Sequence, residues 1–383
     1  MSIKVHADVR FGNVCDVEVV EARGSTEVRF AADPHGGPEC LWFCFRIERG
    51  GRKPPAGRKL KLVLKHSRNM LGITLPYGVH PVVRPAGGDW TRLGEPTVQE
   101  LPDGRRLLSW AARTPKTHLD VAFCYPYGPE EIEELAADCD GFWQTDTIGV
   151  SQKGRPLVRL SNTFGDEGGD RPGLYLVARQ HSSEMTGSWV LDGFLRHVAT
   201  LGDDAPVVWA VPLSNIDGVL QGDYGKDNFP YDLNRAWGNP PMRHETLVYQ
   251  RDIGGWLKRC RGVLGIDFHS PGGAEREGVY CFVPDAKVLP DMHHTVAQWT
   301  EPIATSLTDV YAAEKFARVA DYPSRWDTPT FGRYFWETLG LPALCVETSY
   351  GMAHERVLTR EHYRDIGRRF AQGVLTRLAD GHR

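Results

Sequence analysis

The chain has 383 residues, 41% of them hydrophobic and 25% charged, an ordinary balance for a folded protein with a sizeable core rather than a disordered one. A formal net charge of −4, without any long block of Lys or Arg, argues against a nucleic-acid partner. The first twelve residues lack the apolar core of a secretory signal, and no window nears the roughly 18 apolar residues of a membrane span. A cytoplasmic protein is expected, and its eight scattered cysteines, without a Cys-x-x-Cys pair, are expected as reduced thiols.

From about residue 4 to 125 the sequence is a series of short alternating runs: Val17 to Val20, Glu27 to Phe30, Leu41 to Ile47, Lys61 to Leu64, Arg106 to Trp110 and Leu119 to Tyr125. Gly and Pro clusters, at 50–57 and 81–88, punctuate them. No helical period is sustained there, so an antiparallel β-sandwich is expected. After Tyr125-Pro126-Tyr127-Gly128 the pattern changes. Pro129 to Ala137 reads as a helix, Leu157 to Leu160 and Leu174 to Ala178 as strands, Ser183 to Ala199 as a helix and Pro206 to Pro212 as a strand. Glu245 to Lys258 is helical, Val263 to His269 and Gly278 to Val283 are strands, and Val296 to Leu307 is a helix. Ala343 to Thr348 is a buried strand and Arg360 to Leu378 a terminal helix. This alternation predicts an α/β fold, a mixed sheet with helices on both faces, whose ligands lie at the carboxyl ends of the strands. The expected division is a sandwich domain at residues 1–127 and a second domain at 128–383.

The chemistry is read outward from His181-Ser182-Ser183-Glu184, which follows the apolar strand ending at Ala178. An imidazole and a carboxylate three residues apart at a strand-to-helix seam can meet one cation, and a third ligand from another strand would leave a fourth position for water. The same residues also suit a simple helix start, with Ser182 or Ser183 as N-cap. His269 ends a buried strand and is the natural third ligand, while Asp267 shares its face and can orient an imidazole or form a local salt bridge. Glu347 stands near the end of another buried strand, where a charge needs a partner or a task; a general base is one such task. Asn234-Arg235 pairs an amide with a guanidinium, a combination that suits an anionic chain end. His293-His294 reads as a solvated helix start.

Taken together, His181, Glu184, Asn234, Arg235, His269 and Glu347 resemble the M14 zinc metallocarboxypeptidases in order and residue type. Within that family the likeness is to the cytosolic carboxypeptidases: Arg179-Gln180-His181 with Gly187-Ser188-Trp189-Val190-Leu191 is similar to their zinc segment. Asn215-Ile216-Asp217-Gly218-Val219 and Phe123-Cys124-Tyr125-Pro126-Tyr127 resemble two further motifs of theirs. The resemblance covers roughly residues 120 to 375 by motif and the first 115 by architecture alone. It implies a zinc carboxypeptidase-like sheet behind a sandwich, and hydrolysis of the C-terminal peptide bond of a peptide or protein. His181, Glu184 and His269 would hold one Zn2+, Asn234 and Arg235 would bind the substrate carboxylate, and Glu347 would act as acid and base. Where the subfamily carries Gly-Asn-Tyr-Arg, this chain has Gly222-Asp223-Tyr224-Gly225-Lys226, so the electrophilic Arg is missing and Lys226 is the nearest cation. Tyr322 and Tyr334 are both candidates for a mobile tyrosine. Arg333, in Thr330-Phe331-Gly332-Arg333, is expected to face the departing side chain and favour acidic termini. Two other readings stay open: a zinc amidohydrolase of the aspartoacylase or succinylglutamate desuccinylase kind, and a zinc-binding recognition protein without catalysis.

Overall fold

The computed structural model describes residues 2–22, 24–51, 59–226, 231–322 and 325–380. Most of the turn cluster expected at 50–57 lies outside them. The first part of the chain contains β1 (Ser2–His6), β2 (Cys15–Ala22), β3 (Ser25–Ala31), β4 (Cys44–Gly50), β5 (Lys59–Leu64), β6 (Val82–Pro85), β7 (Thr91–Arg92), β8 (Thr97–Glu100), β9 (Arg106–Ala112) and β10 (His118–Ala122). They form two five-stranded sheets, β1-β4-β10-β6-β7 and β2-β3-β5-β9-β8. Alternation explains the packing. On β3, Thr26, Val28 and Phe30 are buried while Glu27 and Arg29 stay partly exposed, and Phe30 meets Phe45 of the other sheet at 4.7 Å between ring centroids. One pair departs from the antiparallel expectation: β3 and β5 run parallel, from Ser25 opposite Lys59 to Phe30 opposite Leu64. The chain leaves β3, contributes β4 to the facing sheet and returns, a crossover that brings β5 back in the same direction.

The remainder comprises α1 (Pro129–Asp138), β11 (Gln144–Val150), β12 (Pro156–Ser161), β13 (Pro172–Ala178), α2 (Met185–Ala199), β14 (Val207–Val211), α3 (Ile216–Gln221) and α4 (His244–Trp256). Then come β15 (Arg261–His269), β16 (Glu277–Phe282), α5 (Pro290–Tyr311), β17 (Ala312–Arg318), α6 (Phe331–Arg333), a π-helical turn (Tyr334–Leu339), β18 (Ala343–Ala353), β19 (Arg356–Val357) and α7 (Arg360–Asp380). The sheet order is β11-β12-β14-β13-β15-β18-β16-β17, with β19 beside β18. Its centre, β14, β13, β15 and β18, is parallel, and it is there that the apolar runs are nearly continuous, as burial on both faces requires.

The two faces of β15 show how the sheet positions its chemistry. Phe268 points to one side, where it meets Phe194 of α2 and Phe370 of α7 at 6.2 and 5.8 Å. Gly265, Asp267 and His269 alternate to the other side, and a Cβ on Gly265 would lie 2.6 Å from the Phe335 ring. The sandwich is seated against the loop beyond His269: Gly72 has φ +65°, and a Cβ there would lie 2.3 Å from the Gly272 Cα. Only glycine allows that approach.

Candidate functional site

Beyond β13 the chain turns at Arg179, whose φ of 63° is unusual for a residue with a side chain. Its buried guanidinium donates to the carbonyl oxygens of Ser182, at 2.6 Å, and Tyr127, at 2.9 Å, and so folds the His181 to Glu184 loop back on itself. Gly218 backs this loop, since a Cβ there would lie 2.4 Å from Ser182 Oγ. Asn215 Oδ1 accepts from Gly218 N at 3.2 Å. The Asn215 to Val219 motif therefore shapes the loop from behind.

The loop and the end of β15 bring together the three residues expected to bind a cation. His181 Nδ1 lies 2.9 Å from Glu184 Oε1, and His269 Nδ1 lies 2.7 Å from Glu184 Oε2. Donor atoms of the three residues all fall within 4.8 Å of one another. Behind each imidazole stands a second carboxylate. His181 Nε2 is 3.1 Å from Asp232 Oδ1, and His269 Nε2 is 2.7 Å from Asp267 Oδ2. Such an arrangement fixes ring orientation and makes a metal-ligating imidazole more basic. Burial disfavours charge on all these groups, yet their mutual attraction outweighs it. Both imidazoles hold their protons above the ordinary histidine range, His269 strongly so, and Glu184 is held well below the usual carboxylate range. A divalent cation would replace those protons against the same negative field.

A cavity of about 590 Å³ opens beside this cluster, and Glu347, Arg235, Lys226 and Tyr322 line it. Glu347 is carried by β18 directly opposite His269 and opposite Tyr280 in the sheet register. Its Oε2 is buried without a hydrogen-bond partner. Burial first, then the nearby Glu184, push its carboxyl up to about 8, against the pull of His269 and Lys226. Arg235 sits at the end of a 3₁₀ turn and donates to Asn234 O at 2.8 Å. The Tyr322 phenol hydrogen-bonds Arg235. Lys226 Nζ lies 3.8 Å from Glu39 Oε2, a carboxylate supplied by the N-terminal part of the chain.

Three of the expected residues stand differently from the sequence reading. Asn234 does not line the cavity; its Oδ1 accepts from Phe331 N at 3.0 Å, and its Nδ2 lies 2.9 Å from His269 Nε2, the nitrogen that also faces Asp267. Tyr334 packs against Trp237 at 5.6 Å, and of the two candidates it is Tyr322 that lines the cavity. Arg333 donates to Glu337 at 3.1 Å and Asp327 at 3.3 Å, because a three-residue helix and the turn after it place it beside a carboxylate four residues on, and it is not among the residues that line the cavity. Sequence reasoning missed Asp232 as the partner of His181; it read the Asp-Leu-Asn-Arg segment for its last two residues, although the N-cap character of Asp232, which accepts from Asn234 N at 2.8 Å, marked it as ordered. Glu39, Glu275 and Arg325, also on the cavity wall, carried no local signal.

No family model matches the chain. It is 26% identical over 242 residues to cytosolic carboxypeptidase 2 of Xenopus tropicalis, covering 56% of this chain and 24% of that protein. It is also 26% identical over 230 residues to cytosolic carboxypeptidase 6 of Mus musculus, covering 54% of this chain and 41% of that one. The chain thus spans less than half the length of either relative. Among solved structures, a metallo-carboxypeptidase from Burkholderia cenocepacia superposes with a TM-score of 0.76 at 18% identity, over 100% of both chains. Another from Pseudomonas aeruginosa gives 0.74 at 18%, over 99% of this chain and 100% of that one. At that identity the likeness speaks for the fold: an α/β metallocarboxypeptidase fold behind a β-sandwich. By sequence the chain is similar to the cytosolic carboxypeptidases, and by fold to the metallo-carboxypeptidases. That family implies a metal, and the His181, Glu184 and His269 cluster is a fitting place for one. No described helix is long and apolar enough to cross a membrane.

Proposed function

We propose that the chain is a zinc-dependent carboxypeptidase that removes the terminal residue from the free C-terminus of a peptide or protein in the cytoplasm. The observation that carries this reading is the shared cavity: the unpartnered Glu347 carboxylate and Arg235 face the same space beside the two carboxylate-backed imidazoles and Glu184. Two imidazoles and one carboxylate are a donor set suited to catalytic zinc, and His181, Glu184 and His269 would hold it. Zinc bound there would supply Lewis acidity, polarising the scissile carbonyl and acidifying water.

The protein's own groups do the rest. Arg235 binds the terminal carboxylate, its planar fork matched to two oxygens. Glu347 takes a proton from the attacking water at its free Oε2 and returns it to the departing amine nitrogen. Lys226 serves as the cation near the developing negative charge, in place of the family's arginine. Tyr322, hydrogen-bonded to Arg235, closes the cavity over the substrate. Asn234, held by Phe331 N, stands beside His269 at the floor of the site. The sandwich, taken as a domain of residues 1–127 beside a catalytic domain of 128–383, shapes the rim through Glu39, Leu71 and Gly72.

Mass spectrometry of a C-terminally varied peptide library incubated with zinc-loaded protein tests this. Loss of a single residue from free, but not amidated, termini is expected. Hydrolysis of N-acyl amino acids with intact peptides would point to the amidohydrolase alternative. Zinc binding with neither activity would leave a recognition protein.

A further inference from the structure

The cavity has a second carboxylate that the proposed mechanism does not use. Glu275 lies on the loop between β15 and β16 and lines the same space as Glu347 and Arg235. Its Oε1 is buried and has no hydrogen-bond partner, and its Oε2 accepts only a long bond of 3.4 Å from the Tyr280 hydroxyl. Tyr280 stands between the two acids, since its backbone is the register partner of Glu347. Burial raises the Glu275 carboxyl to about 7, and the neighbouring Glu277 adds to the effect. An acid so poorly satisfied is a binding group without its ligand, or else an uncompensated cost.

The cations of this region are engaged elsewhere. Lys226 and Arg325 both turn to Glu39, at 3.8 and 2.5 Å. Arg235, which donates to Asn234 O and meets the Tyr322 phenol, is the cation left for the terminal carboxylate. Arg318 is the cation nearest in kind. It pairs with Glu277, donates to Lys315 O at 2.7 Å and stacks its guanidinium 3.8 Å over the Tyr280 ring, and its charge offsets only part of the burial of Glu275. Around Glu275 the wall is aromatic: Phe282 meets Tyr280 at 5.5 Å and Tyr322 at 5.7 Å. Aromatic faces with a carboxylate beyond them suit a long side chain that has an apolar stem and a cationic head. An acidic side chain at that end of the cavity would instead meet two carboxylates, Glu275 and Glu347.

We infer that Glu275 reads the departing residue, so that the cavity takes peptides ending in lysine or arginine. This rests on the carboxypeptidase reading, with Arg235 holding the terminal carboxylate and the side chain directed along Tyr280 to Glu275. It replaces the acidic preference once attached to Arg333.

The test uses the full zinc-loaded chain and peptides that differ only in a terminal Lys, Arg, Leu or Glu. The wild type is expected to cleave Lys and Arg ends at least about tenfold faster than Leu, with Glu slowest, in kcat/KM. Glu275→Gln is expected to lower the Lys-to-Leu and Arg-to-Leu ratios at least about tenfold, and Glu275→Arg to move preference towards Glu. Wild-type preference for Leu or Glu ends would overturn the assignment. So would an equal loss for all four termini in Glu275→Gln, which marks a structural role. Calorimetric binding of N-acetyl-arginine against N-acetyl-glutamate separates the two layers of argument. If no peptide is cleaved, the carboxypeptidase reading falls, while tighter N-acetyl-arginine binding that Glu275→Gln abolishes still upholds Glu275 as the cation site. Equal binding of the two would overturn it independently of catalysis.

Discussion

Replacing Glu347 by glutamine separates a proton-transferring carboxylate from a structural one. Glu347 Oε2 has no hydrogen-bond partner, so a carboxamide of the same size breaks no bond that the fold relies on. What it removes is the ability to accept and return a proton. General acid and base groups contribute about 10²- to 10⁴-fold in rate, which corresponds to roughly 3 to 5 kcal/mol of barrier at about 1.4 kcal/mol per tenfold. Turnover of a peptide with a free terminus should fall within that range while zinc content, read by elemental analysis, stays at one ion per chain. A second readout is stability. In the metal-free protein, burial raises the Glu347 carboxyl above the unfolded value of 4.5, up to about 8. A raised acid opposes folding as it is forced to ionise, so the wild type loses stability as pH rises from about 4.5 to about 8. The variant should lose less over that window and melt higher than the wild type near its upper end. Turnover within tenfold of wild type, with zinc retained, would show that another group moves the proton. An unchanged pH profile of melting would show that Glu347 is not held in the raised state its burial dictates.

Four further outcomes follow from the geometry. His181→Ala and His269→Ala should each lose zinc on elemental analysis, and full zinc content in either would remove the site. Asp232→Asn should keep the fold but weaken zinc retention against a chelator by about 10- to 100-fold, since the carboxylate behind a ligating imidazole raises its basicity; unchanged retention would reduce Asp232 to its capping bond with Asn234 N. Arg235→Ala should raise KM for free-carboxylate peptides and hardly affect amidated ones, and equal effects on both would end its role as carboxylate clamp. Arg333→Ala should leave the ratio of Glu- to Leu-terminal cleavage unchanged, because its guanidinium is spent on Glu337 and Asp327; a shifted ratio would return it to the pocket.

What could be seen in the sequence divides by what carries each residue. His269 and Glu347 ride on β15 and β18, whose apolar runs mark them as central strands, and a sheet delivers the ends of its parallel strands to one edge. A charged residue in such a run is conspicuous, and the register then sets Glu347 opposite His269 with no further information. His181 and Glu184 share one loop, so their spacing was enough. Of the strands that escaped notice, β1, β11 and β17 lie at sheet edges, where one-sided burial weakens the apolar pattern, and Gln144–Val150 is polar or small at most positions; β6 is an interior strand hidden by the Pro and Gly residues of 81–88. Arg333 stands apart for a different reason. Its family motif suggested the pocket, while the Glu four residues on, visible in the same stretch, offered a local partner that the fold used. Tyr334 likewise stands among Phe331, Phe335 and Trp336, an apolar neighbourhood that argues for burial, whereas Tyr322 is half exposed at the cavity. The residues hardest to foresee reach the cavity from elsewhere in the chain. Glu39 does so only because Gly72 and Gly272 let the sandwich close against the loop after His269, and that contact is written in the absence of two side chains rather than in any motif. The wall of the cavity is therefore a tertiary property, set by which distant segments the fold brings to it rather than by any single motif.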